Sequence, residues 1–174
     1  MVAALSNKNR SGSFRCGHSA CDLTDPRIRV RVAAVKALGN DMPEGALAML
    51  IPALSDSHAS VRSEAALALG KIGNSAAVPA LLALLDDQDP DVRASGLVAL
   101  GRIRDPAAVP GLISHINDRD STVRIGILRT LGSIGDPRAL STVRKSSGDP
   151  FSEVREVADE VLLRFRKRSH RERR

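Results

Sequence analysis

A 31-residue period runs through the chain and restricts the folds open to it more than any other feature. Val-Arg stands at Val30-Arg31, Val61-Arg62, Val92-Arg93, Val123-Arg124 and Val154-Arg155. Leu-Gly keeps the same step from Leu38-Gly39 through Leu69-Gly70 and Leu100-Gly101 to Leu131-Gly132, and an aspartate keeps it from Asp25 through Asp56, Asp87 and Asp118 to Asp149. A period of about 20–50 residues belongs to solenoids and arrays, whose units bury their apolar faces against one another.

Within a unit the apolar spacing is helical. Val61, Ala65, Leu69 and Ile72 line one face of a first helix, and Val78, Leu81, Leu82 and Leu85 one face of a shorter second helix. Between them Gly73-Asn74-Ser75 supplies a left-handed C-cap and an N-cap, as Asp136-Pro137 does after Gly135. Each unit is therefore predicted to be a helical hairpin. Its Leu and Val side chains, worth about 1.5–3 kcal/mol each when buried, leave water only when hairpins stack. In the first unit Asp41-Met42-Pro43-Glu44 reads as a capping box that starts the second helix early, and Pro52 should kink or end that helix. Pro79 and Pro110 are predicted to lie one turn inside theirs.

The predicted fold is all-α, a right-handed α-solenoid. Four hairpins occupy 25–55, 56–86, 87–117 and 118–148. A capping helix follows over 149–165, where Glu153, Glu156, Asp159 and Glu160 replace small residues, and then a basic tail over 166–174. Residues 1–24 do not keep the repeat and are expected to be a disordered or degenerate N-terminal cap.

Composition narrows the function. The chain has no Trp or Tyr and three Phe, although 43% of it is hydrophobic, so Leu, Val, Ile and Ala must form the core and the usual base-stacking platforms are missing. The net charge is +6, and residues 164–174 alone hold seven Arg or Lys and one Glu, which leaves the rest neutral. Nucleic-acid binding through that tail is possible, with no obvious means of choosing a sequence. No apolar run approaches the roughly 20 residues of a membrane span. Cys16 and Cys21 precede the repeats and read as reduced thiols of a cytoplasmic protein. With His18 they offer three metal ligands without a fourth, so no metal or other cofactor is expected.

The sequence Ala68-Leu69-Gly70-Lys71-Ile72-Gly73, followed by Ala77-Val78-Pro79-Ala80-Leu81-Leu82-Ala83-Leu84 and preceded by Asp56 six residues before Arg62, resembles the HEAT-repeat superfamily in its short-repeat, phycobilin-lyase-like form. The resemblance is nearly entire over 56–86 and 87–117 and carries substitutions over 25–55 and 118–148. It implies that Asp25/Arg31, Asp56/Arg62, Asp87/Arg93, Asp118/Arg124 and Asp149/Arg155 form a structural ladder rather than catalytic pairs. It also implies that the second helices line a concave surface, with Met49, Pro79, Ala80, Ala83, Leu84, Pro110, Ser114 and His115 facing a partner. The iron-binding His-Glu pairs of deoxyhypusine hydroxylase, a relative in this superfamily, have no counterpart among His18, His58, His115 and His170. The expected function is thus a non-catalytic scaffold or adaptor binding another protein. Action as an accessory subunit of a phycobilin lyase, or as a bilin-protein chaperone, is the alternative that the resemblance implies.

Overall fold

The computed structural model describes residues 22–172 of the chain. The expectations for residues 1–21, including the Cys16, His18 and Cys21 group, lie outside that range. Helices form two layers. The first helices are α1 (Ile28–Asp41), α3 (Ala59–Ile72), α5 (Pro90–Ile103), α7 (Ser121–Ile134) and α9 (Ser152–Glu172), each packed on the next in chain order. The second helices are α2 (Ala46–Ala53), α4 (Val78–Ala83), α6 (Val109–Ser114) and α8 (Leu140–Ser146). No helix among the described residues is long and apolar enough to cross a membrane.

Short polar residues start the helices by accepting otherwise orphaned backbone N–H groups. His58 accepts from Ser60 N, Asp89 from Asp91 N and Asp120 from Thr122 N. At the far end Gly73 and Gly135 take φ of 74° and 72°, the left-handed conformation that stops α3 and α7. Arg104 performs the same turn after α5 at φ 57°, where a side chain is strained. The chain then makes a single 3-10 turn, capped by Asn74, Asp105 or Asp136, before each of the later second helices. That turn places Pro79 and Pro110 in the first two positions of α4 and α6, earlier than the spacing predicts, where no backbone hydrogen bond is lost.

The capping box expected at Asp41 does not form. Asp41 is the last residue of α1, and Met42 caps that helix at φ 45°, its N–H donating to Leu38 O at 3.0 Å. α2 begins at Ala46 after Gly45, without a side-chain cap, and ends one residue beyond Pro52. At the other end α9 runs to Glu172 without a break at Phe165.

The core lies between the layers. Leu38, Leu69, Leu100 and Leu131 form one buried column, each at most 1% exposed, with Val61, Val92, Val123 and Val154 beside them. The glycines of the Leu-Gly pairs let first helices approach closely. A methyl group on Gly70 would stand 2.6 Å from the Ala99 backbone, and one on Gly39 would stand 2.6 Å from the Ala68 side chain.

Candidate functional site

Two features recur along the stack: a row of charged pairs and the outward face of the second helices. The pairs are offset from the spacing that the sequence suggests. Arg31 donates through Nε and Nη2 to Asp56 at 2.7 and 2.8 Å, Arg62 to Asp87 at 2.7 and 2.9 Å, and Arg124 to Asp149 at 2.8 and 3.0 Å. Arg93 is 3% exposed and reaches Asp118 through Nη2 at 3.1 Å; its Nε lies 3.0 Å from the other carboxylate oxygen, off the N–H direction, an ion pair without a second hydrogen bond. Each arginine therefore pairs with the aspartate 25 residues later, not with the one six residues earlier. The earlier aspartate takes part through its backbone. Nη1 of Arg31, Arg62, Arg93, Arg124 and Arg155 donates to the carbonyl of Asp25, Asp56, Asp87, Asp118 and Asp149 at 2.8–3.0 Å.

The end positions differ. The Asp25 carboxylate pairs with Arg27 at 2.8 and 2.9 Å, and that guanidinium pulls its pKa down to about 2. Asp56, Asp87 and Asp149 are also held below the ordinary carboxylate value, first by the hydrogen bonds from Arg31, Arg62 and Arg124. Every ladder carboxylate also accepts the N–H two residues on, from Arg27, His58, Asp89, Asp120 or Phe151, fixing the turn into a first helix. Bonded in this way, the aspartates and arginines orient hairpins.

On the face of the second helices Pro79, Ala83, Pro110 and Ser114 are exposed, while Met49, Ala80 and His115 are half-buried. Leu84, placed on this face by helical spacing, is 5% exposed and belongs to the core. α4 ends at Ala83 and a tighter 3-10 turn carries Leu84, which rotates it inward against the open side of Gly96. His115 is held in place: Nδ1 faces Gly111 O at 2.8 Å and Nε2 faces Asp86 at 3.2 Å, joining two repeats. Ser114 Oγ is 3.1 Å from the same Nδ1, but it donates to Gly111 O at 2.8 Å, so its proton points away from the ring and no activated nucleophile results.

Sequence spacing also missed a cleft of about 410 Å³ between α6 and α8, lined by Ile113, Ile116 and Asn117 on one side and Thr142, Lys145 and Ser146 on the other. It opens because α6 stops at Ser114, leaving Ile113 and Ile116 half covered. The only sequence signal for it is the weak helical tendency after Ser114. No group of three or more His, Cys, Asp or Glu side chains placed to hold a metal occurs among the described residues.

The family described as HEAT repeats matches residues 21–100 and again 78–163. No curated protein matches the sequence. Among solved structures, the complex of CpcE and CpcF of phycocyanin lyase from Nostoc sp. PCC7120 is similar at 24% identity and a TM-score of 0.74, over 95% of this chain and 71% of that one. A designed armadillo repeat protein bound to the peptide (KR)4 is similar at 21% identity and a TM-score of 0.68, over 84% of this chain and 80% of that one. These likenesses concern the fold. The period, the stacked hairpins and the double match make the chain a member of the HEAT-repeat family.

Proposed function

We propose that this protein is a non-catalytic scaffold that binds another protein on the outward face of its second helices. The observation that carries this reading is the contrast between the two recurring features. Four ladder arginines are bound to aspartates, whereas Pro79, Ala83, Pro110 and Ser114 stand exposed, the last two on the helix that borders the cleft between α6 and α8. A face of small residues with an adjoining cleft accepts a helix or an extended segment. The test is affinity capture from the native host with the full chain and with Ala83→Glu and Ser114→Glu. Each variant puts a charge on the face at an exposed position. A partner held by the full chain and lost by both variants, with unchanged circular dichroism, supports the reading. Partners kept by both variants but lost on deletion of residues 166–174 overturn it in favour of the basic tail.

A second reading, accessory action in phycobilin attachment, rests on the similarity to the CpcE–CpcF complex over 95% of this chain. Visible bilin absorbance on the purified protein after coexpression with a bilin source would favour it over a plain scaffold.

A further inference from the structure

The fifth repeat has a first helix, α9, and no second helix among the described residues. In the preceding repeats a left-handed residue follows Ile72, Ile103 or Ile134 and turns the chain back. The matching position after Phe165 is Arg166, and α9 continues through it. The place beside α8 and α9 where a fifth second helix would lie is thus left open.

Three observations describe that opening. First, the core columns are uncovered there. Leu162 stands in line with Leu38, Leu69, Leu100 and Leu131, all at most 1% exposed, yet it is only half-buried. Leu140 is half-buried where Val78 and Val109 are at most 3% exposed. Second, these two leucines and Phe165 form the floor of a groove of about 380 Å³ whose rim carries Arg144 and Arg166. Third, Arg155 is a ladder arginine without a carboxylate. Its Nη1 bonds Asp149 O and Pro150 O, and the Nε and Nη2 pair that grips an aspartate in earlier repeats has no partner among the described residues. In those repeats the carboxylate comes from a residue shortly beyond the second helix, as Asp87 follows the 3-10 turn after α4.

The side facing a sixth first helix is closed instead. Leu163, 54% exposed, takes the place of Gly39, Gly70, Gly101 and Gly132, so the close approach that those glycines permit is blocked.

We propose that this groove takes a short acidic amphipathic helix from another polypeptide. Its apolar side covers Leu140, Leu162 and Phe165, and a carboxylate beyond its C-terminal end is gripped by Arg155. Charge selects the partner. The adjoining stretch from Arg164 onward carries the whole net charge of +6, which attracts an acidic helix and repels the same end of a second copy. The site lies at the end of the stack and does not depend on binding at the outward face.

A suitable probe comes from the chain itself. Residues 74–87, made as a fluorescein-labelled peptide capped at both ends, hold one second-helix unit with Asp86, Asp87 and no Lys or Arg, a charge of −2. Anisotropy titration with the full chain should saturate. Asp87→Asn in the peptide and Arg155→Ala in the protein should each weaken binding about tenfold, the scale of one charge-assisted bond, and together no more than either alone. Leu162→Glu should abolish binding. Because the Asp87→Asn change is in the peptide, it cannot act by unfolding the protein. The proposal is overturned if nothing saturates, or if a scrambled peptide binds equally well and marks mere attraction to the basic end. It is also overturned if sedimentation shows a dimer that Leu162→Glu splits, since the occupant is then a second copy.

Discussion

Arg31, Arg62 and Arg124 each bond in two directions, with Nε and Nη2 on a carboxylate and Nη1 on a backbone carbonyl. Only the first of these depends on the aspartate side chain. Arg62→Ala and Asp87→Ala should therefore each cost about 1.5–3 kcal/mol, with the double variant well below the sum, because either change strands the other member of a half-buried charged pair. Asp87→Ala combined with Arg93→Ala should be additive within about 0.5 kcal/mol, since Arg93 takes the Asp87 carbonyl, which any residue supplies. Urea melts of the six proteins decide it, and strong coupling of Asp87 to Arg93 would contradict the geometry. Spacing in a sequence shows that both columns exist; it does not tell whether an arginine reaches six residues back or 25 forward, because only the packed hairpin brings Asp87 beside Arg62. Leu84 departs from the face that spacing gives it for a related reason. A helix of 3.6 residues per turn and a 3-10 turn of about 3.0 drift apart within a few residues, and nothing in the residue types announces the change.

Among the helices, the contacts across the Leu-Gly column differ along the stack, tightest at Gly39 and Gly70 and most open at Gly101. The neighbour is Ala68 for Gly39, Ala99 for Gly70, Thr130 for Gly101 and Val161 for Gly132. Thr130 keeps its hydroxyl on Gly126 O at 2.8 Å and also faces Leu97 O at 3.1 Å, and it leaves 3.6 Å for a methyl group on Gly101. Opposite outcomes follow for one substitution. Gly70→Ala should push α3 from α5 and destabilise by about 1–3 kcal/mol, whereas Gly101→Ala should stabilise by about 0.5–1 kcal/mol by removing an internal helix glycine. Thermal melts check both, and equal signs would mean that the helix spacing is wrong. Replacing Arg104 with Gly should likewise stabilise, by about 0.5–1 kcal/mol, because φ 57° costs a glycine little. The hairpins themselves were legible, since Val61, Ala65, Leu69 and Ile72 mark a helix by spacing and Gly73-Asn74 marks its end. The Asp41 box was not, because its residues serve equally well as a helix end once Met42 turns left-handed.

At the scale of the molecule the ladder makes stability depend on acid. Asp56, Asp87 and Asp149 have folded pKa values below the ordinary 3.8, so in the window below that value the unfolded chain binds more protons and stability rises with pH. Their contribution is complete above 3.8 and is lost as pH falls through the folded values. The melting temperature should be nearly flat between about pH 7 and 5 and fall steeply by about pH 3, with a shallower fall in Asp87→Asn. An acid limb unchanged in that variant would exclude Asp87 as a contributor. The vacancy beside α9 could not be read from the chain, because a basic stretch looks alike whether it frays or extends a helix. The offset of the ladder has one more effect. Every bridging aspartate is held at once by the hairpin that it ends and by the one that it begins, so the same bonds form wherever one 31-residue unit meets another. A gene for such a chain could gain or lose whole units by recombination at the aspartate without leaving a single bridge unmatched, and its length is open to natural selection in a way that a closed globule's is not.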